Sequence, residues 1–417
     1  MHFVLTPVGS AGDVNPFVVL GREFQRRGHR VTVIAPAVFG DVIASAGLEF
    51  VGVGTAEDYE RVTRDPALWD ARRGPQVVFR EVAKQLRAHY AAIDGVYRPG
   101  ETVLVGHSLS FSTRVFEEHR SAPAATIHLS PGVFRSEFEE AALPSGPDIS
   151  GWPLWTRRWL WWAIDRFAID PLIAPALNAW RAELGLPPVH RVLRTWIHSP
   201  RRVIGLFPEW FAQPQPDWPS QARLTGFALS DDSCAPPHQR ALEVALETFL
   251  AGDPPIVFTP GSANRFAAQF FQAGIGAASR IGRPALLVTN YREHLPPALP
   301  ANAFHTPYAS FRSLFPRAAA VVHHGGIGTS AQALAAGVPQ VIMPMGFDQP
   351  DNAARIARLG VGEAIPPRRF TAERVAQALS RLLSDPHVRV SARTWRTAVE
   401  SSDALGRTCE LIEEVAR

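Results

Sequence analysis

Cysteine is nearly missing from this chain: Cys234 and Cys409 are the two present in 417 residues. They lie far apart, with neither disulfide-framework nor metal-ligand spacing, which argues against a stapled secreted scaffold and against a zinc module and fits a reducing compartment. Lysine is scarcer still, since Lys84 stands alone and arginine carries nearly all the positive charge. The formal net charge is only +3, and no basic run is interleaved with aromatics, so nucleic acid is not expected as a partner. No Asp-x-Asp cluster stands in a strand-end setting, and no metal site is expected. Nor is there an uninterrupted apolar run of about 18 residues, or a basic segment leading into a long apolar one at Met1–Pro7. A cytoplasmic chain is the expectation.

The composition, 46% hydrophobic and 19% charged, is that of a globular protein. Because single cores stop growing near roughly 250 to 300 residues, two domains are expected. Met1–Thr6 reads as a buried strand, followed by the turn Gly9-Ser10-Ala11-Gly12, an amphipathic helix through Arg27, and a second strand at Arg30–Ala35. Further strands are expected at 50–52, 102–106 and 124–128. A similar opening returns at Ile256–Ala263, with later strands at 285–289, 319–323 and 340–344. This alternation gives an α/β fold of two Rossmann-like halves with parallel sheets. The Pro- and Trp-rich 207–219 and the turn-rich 230–237 put the boundary near Leu229, giving domains 1–229 and 230–417. The helical segment from Val388 to Arg417 is read as packing back across both halves, by fold analogy alone.

The chemistry concentrates in His323-His324-Gly325-Gly326-Ile327-Gly328-Thr329, followed by Gly346-Phe347-Asp348-Gln349. A strand, a glycine-rich turn and a helix start bring free N–H groups and the positive helix end together, which suits a diphosphate. A histidine there adds a donor or a positive charge, and Thr329 a hydroxyl. The bland alternatives are a satisfied strand-end histidine, preferred for His323, packing glycines, and Asp348 as a helix cap.

From Tyr308 to about Gly362 the pattern resembles the donor-binding signature of the family 1 glycosyltransferases. That resemblance implies the GT-B fold, two facing Rossmann-like domains with a cleft between them, the first binding the acceptor and the second the nucleotide sugar. It matches His324 to the histidine that meets the donor phosphates, and Gly326, Gly328 and Thr329 to the turn around them. Asp348 and Gln349 match the pair on the sugar hydroxyls, Gly261 and Ser262 a second phosphate turn, and Tyr308 an aromatic against the nucleobase. Two positions depart from the family pattern: Gln332 stands where many members carry a ribose-binding Glu, and Phe311 where a backbone group reads the base.

In the first half, Gly12-Asp13-Val14-Asn15-Pro16 resembles the family's Gly-His-x-x-Pro, with Asp13 in the place of the catalytic base. The plain reading of Asp13 is an N-cap. Ser10 is taken with it on the acceptor side. The segment 151–168 gathers Trp152, Trp155, Trp159, Trp161 and Trp162 with three arginines. It reads equally as a core helix and as an apolar acceptor mouth or membrane-surface helix, with Trp152, Trp155 and Trp159 assigned to the acceptor side.

Segments such as Asp65-Pro66-Ala67-Leu68-Trp69-Asp70 and Phe207-Pro208-Glu209-Trp210 resemble the rhamnosyltransferases of bacterial rhamnolipid biosynthesis. The resemblance implies inverting, metal-independent transfer of L-rhamnose from dTDP-L-rhamnose to a hydroxyl of 3-(3-hydroxyalkanoyloxy)alkanoate. No cofactor is implied beyond a dTDP- or UDP-sugar co-substrate. The implied partners are that donor and a lipophilic hydroxyl acceptor, with peripheral contact at the inner membrane as an addition. The alternatives are a glycosyltransferase for a macrolide, sterol or other natural-product aglycone, a nucleotide-sugar epimerase, a dinucleotide oxidoreductase, and a non-catalytic sugar-nucleotide binder.

Overall fold

The computed structural model describes residues 1–139, 149, 151–229 and 240–416, without the side chains of 240–243. Cys234 and the turn-rich 230–237 lie outside these residues. The chain divides into two compact units, Met1–Ala228 with the segment from Asp403 onward, and Leu229–Ser402.

In the first unit seven strands form one parallel sheet. They are β1 (His2–Thr6), β2 (Arg30–Pro36), β3 (Glu49–Val53), β4 (Thr102–His107), β5 (Ala124–His128), β6 (Val203–Gly205) and β7 (Ala222–Leu224). Their spatial order is β3-β2-β1-β4-β5-β6-β7. Strand β1 is buried along its whole length, because helices cover both faces of a doubly wound sheet and polar alternation has no place there. The helix Ala11–Arg26 packs on it through Val14, Phe17, Val18 and Phe24, at spacings that share one helix face. Phe24 stacks on Phe3 with ring centroids 4.0 Å apart.

The second unit repeats the plan with six parallel strands. They are β8 (Ile256–Thr259), β9 (Ala285–Val288), β10 (Ala303–Thr306), β11 (Ala320–His323), β12 (Gln340–Ile342) and β13 (Gly362–Ala364), in the order β10-β9-β8-β11-β12-β13. In both sheets the winding reverses beside the first strand, between β1 and β4 and between β8 and β11. Ligands of open parallel sheets bind at such a reversal, beyond the carboxyl ends of the strands.

The last helix, Ala404–Glu413, belongs with the first unit. It buries Cys409, Leu411 and Ile412. Glu413 takes the Arg27 guanidinium at 3.1 Å, and the Thr408 hydroxyl meets that of Thr225 at 2.8 Å.

Candidate active site

At the reversal point of the first sheet, the loop after β1 turns through Gly9 and starts the helix at Ala11. Ser10 is the N-cap and Asp13 is the third residue of the helix. This corrects the sequence reading of Asp13 as the cap. Its Oδ2 instead accepts from the Ser10 backbone N–H at 2.7 Å and the Ser10 hydroxyl at 3.0 Å. Gly9 has a φ of +136°, and a Cβ added there would stand 2.2 Å from Asp13 Oδ2, so any other residue would displace the carboxylate.

Burial lifts the Asp13 carboxyl to about 6 against the opposing pull of the two Ser10 bonds. Its other oxygen, Oδ1, faces Nε2 of His107 at 3.7 Å. His107 ends β4, directly across the reversal from β1, and packs edge-on to Phe17. The Leu109 N–H points at its Nδ1, which leaves Nε2 as the protonated nitrogen of a neutral ring. Burial lowers the His107 pKa to about 4. Sequence reasoning missed this residue, because a lone histidine at the end of an apolar strand carries no pattern.

At the reversal point of the second sheet, the turns after β8 and β11 meet. The His324 ring lies between Gly261 and Gly326: a Cβ on either would come within 2.8 Å or 2.5 Å of it. Gly261 has a φ of +89°, which also favours glycine. Burial lowers the His324 pKa to about 4, so it offers an N–H or a lone pair but no full positive charge at neutral pH. Its Nδ1 is buried without a hydrogen-bond partner among the described residues. Leaving a buried polar atom unpaired costs about 1–3 kcal/mol, and such atoms call for an explanation in function.

Gly326 caps the helix Ile327–Ala336, whose first internal bond is Ser330 N–H to the Gly326 carbonyl. The N–H groups of Ile327, Gly328 and Thr329 therefore lack helical acceptors, and the positive helix end lies beside them. Ser262 is exposed next to Gly261. His323 is a satisfied core residue, with Nε2 on the Gln340 side-chain oxygen at 2.9 Å and Nδ1 accepting from Gly325 at 3.0 Å.

The remaining residues are less alike. Asp348 sits at the cap position of the helix Gln349–Arg358 and accepts from Asn352 Nδ2 at 2.8 Å. Gln349 is buried, and its side-chain oxygen takes the Met345 N–H at 2.8 Å, leaving its amide nitrogen for other contacts. Phe347, between them and Gly346, holds a φ of +57°, a conformation side chains avoid outside functional turns. Gln332 is buried in its helix, and Tyr308 and Phe311 are half-buried, with Phe311 stacked on Phe315 at 4.4 Å. In the first unit, Trp152, Trp155 and Trp159 face outward while Trp161 enters the core.

Residues 3–130 match the glycosyltransferase family 28 N-terminal domain, and residues 286–405 match the erythromycin biosynthesis protein CIII-like C-terminal domain. Over 437 residues the chain is 33% identical to the O-mycaminosyltylonolide 6-deoxyallosyltransferase of Streptomyces fradiae, covering 100% of this chain and 98% of that protein. The chain belongs to the GT-B glycosyltransferases. This glycosyltransferase is also 30% identical to glycosyltransferase GtfE of Amycolatopsis orientalis, over 94% of its own length and 92% of that protein's. Among solved structures, its fold matches the kitacinnamycin glycosyltransferase with a TM-score of 0.73 at 22% identity, covering 100% and 99% of the two chains. The spinosyn rhamnosyltransferase SpnG shares the fold at a TM-score of 0.70 and 17% identity, covering 99% and 100%.

Proposed function

We propose that this glycosyltransferase moves a 6-deoxyhexose from a dTDP-sugar to a hydroxyl of a macrolide-type or related natural-product aglycone, with inversion at the anomeric carbon. The observation that carries this reading is the end-to-end similarity to the 6-deoxyallosyltransferase named for a tylonolide acceptor. The relatives favour such an aglycone over the hydroxyalkanoyl lipid of rhamnolipid synthesis. Rhamnose, the sugar that the resemblance to the rhamnolipid enzymes implies, is itself a 6-deoxyhexose and stays within the proposed donor class.

In this reading Asp13 accepts the proton of the acceptor hydroxyl as the glycosidic bond to the diphosphate breaks. A carboxyl lifted to about 6 is a better base than an ordinary one and is still ionised at pH 7.5. His107, packed 3.7 Å from Asp13 Oδ1, limits the water on that side of the carboxylate, a positioning role. On the donor, His324, Thr329, Ser262 and the N–H groups at the start of Ile327–Ala336 stabilise the charge growing on the leaving diphosphate, work that a divalent ion does in other enzymes. Asp348 and the Gln349 amide meet the sugar hydroxyls, and Tyr308 the base.

A product assay tests this. Purified protein with chelator, a panel of dTDP- and UDP-6-deoxyhexoses, and macrolide aglycones beside hydroxyalkanoyl lipids is read by mass spectrometry. Glycosylated macrolide is expected. Transfer to the lipid alone would overturn the acceptor, and transfer only after adding a divalent ion would overturn the metal-independent step.

A further inference from the structure

The helix Leu154–Ile164 turns an apolar face to solvent as well as one inward. The residues it turns into the first unit are Arg157 and Trp161, with Asp165 of the following turn, all buried. Asp165 takes the Arg135 guanidinium at 2.7 Å, and the Trp161 indole N–H donates to the Ser136 carbonyl at 3.1 Å. On the outer side stand Trp155 and Trp159, 72% and 63% exposed, with Trp162 at 43% and Phe167 at 68%. Positions 155, 159 and 162 recur at the spacing of one helix face, so they form a stripe.

Packing alone would place the indoles inward and the charges outward. Fixing the helix through Trp161 and a buried ion pair, with Trp155, Trp159 and Trp162 left in solvent, marks the outer stripe as an interaction surface. Its chemistry narrows the occupant. No acidic side chain is exposed from Gly151 to Ile169, whereas Arg158 and Arg166 are. Arg158 shares the single carboxylate of Glu137 with Arg194, so two cations face one anion. Arg166 lies 5.7 Å over the Phe167 ring, at the end of the stripe. A small acceptor needs a concave site that covers roughly 70–90% of it, which indoles this exposed on one helix face do not make. Tryptophans beside arginines suit a boundary that is apolar below and anionic at the rim.

We propose that the 152–167 stripe docks this glycosyltransferase on an anionic phospholipid surface, with the indoles in the interfacial layer and Arg158 and Arg166 among the headgroups. The docking is independent of the transfer reaction and of the identity of its acceptor.

Co-sedimentation of the full chain with phosphatidylglycerol-containing vesicles, beside pure phosphatidylcholine vesicles, tests it. Binding to the anionic vesicles is expected, with a blue-shifted tryptophan emission quenched by lipids brominated near the headgroup. Trp155→Gln with Trp159→Gln, both at solvent positions and checked for folding by circular dichroism, should abolish the binding. Arg166→Ala should weaken it about five-fold at low salt. Three results would overturn the proposal: no partition to either vesicle; partition untouched by the double substitution; or a double variant whose only changes are a raised KM for a soluble aglycone or the loss of a dimer in sedimentation velocity.

Discussion

His107 Nε2 stands 3.7 Å from Asp13 Oδ1, while the other oxygen of that carboxylate is held by both donors of Ser10. One side of the carboxylate is anchored and the other faces the His107 ring without a hydrogen bond, so the group is held in place while burial raises its basicity. Asp13→Asn keeps the shape and removes the base, so kcat should fall by roughly 10²–10⁴-fold with nucleotide affinity retained. Equilibrium binding of the nucleotide diphosphate beside steady-state turnover separates the two, and undiminished turnover removes Asp13 from its role.

The same carboxyl sets the pH response. In the proposed mechanism its form without the proton is the active one, so kcat/KM should be flat above neutrality and fall as pH drops through about 6. His107 and His324 gain protons only near 4 and add no second limb between pH 5 and 8. A profile measured on the wild type that is flat down to pH 5 would contradict the assignment.

His107→Ala should lower kcat by about 10- to 100-fold with little change in donor KM, since a small misplacement of a reacting group has effects of that order. It should also move the acid limb to lower pH, because water admitted beside Asp13 relieves the burial that raised its pKa. A purely structural role for His107 would reduce the amount of folded protein and leave the limb where it is.

Gly326→Ala would push a methyl into the His324 ring from 2.5 Å away. The donor KM should rise about ten-fold or more while the acceptor KM holds, the loss of one charge-assisted hydrogen bond being enough for that. Titration calorimetry with a nucleoside diphosphate provides the check, and a changed acceptor KM with an unchanged donor would place His324 elsewhere in the reaction.

The long elements were legible because their signals are long. Strand β1 is five buried residues in a row, and Ala11–Arg26 shows its apolar face over four turns. Strands β6, β7 and β13, which have three residues each, are too short for a period to show. Asp13, Gly261 and His324 were singled out by the resemblance that their turns bear to the family's motifs. His107 was not, because its role comes from the register that puts the end of β4 beside β1. Nor could the sequence say that Gln349 would spend its oxygen on the Met345 N–H, or that the tryptophans of 152–162 would divide between core and solvent. Those outcomes depend on which face of a helix the neighbouring chain covers.

Ile412 is fully buried where the last helix meets the first unit, and Ile412→Ala should destabilise that unit by about 2–5 kcal/mol in denaturant unfolding. An effect confined to the second unit would contradict the division of the chain.

That docking sets an order of events in synthesis. A ribosome releases residues 1 to 228 long before Asp403, so the first unit must wait, with the surface that meets Leu411 and Ile412 uncovered, while the whole of the second unit is made. The amino-terminal half of this enzyme is therefore the last to be finished, and a chain arrested at residue 402 would hold a completed second unit beside a first unit still missing one wall.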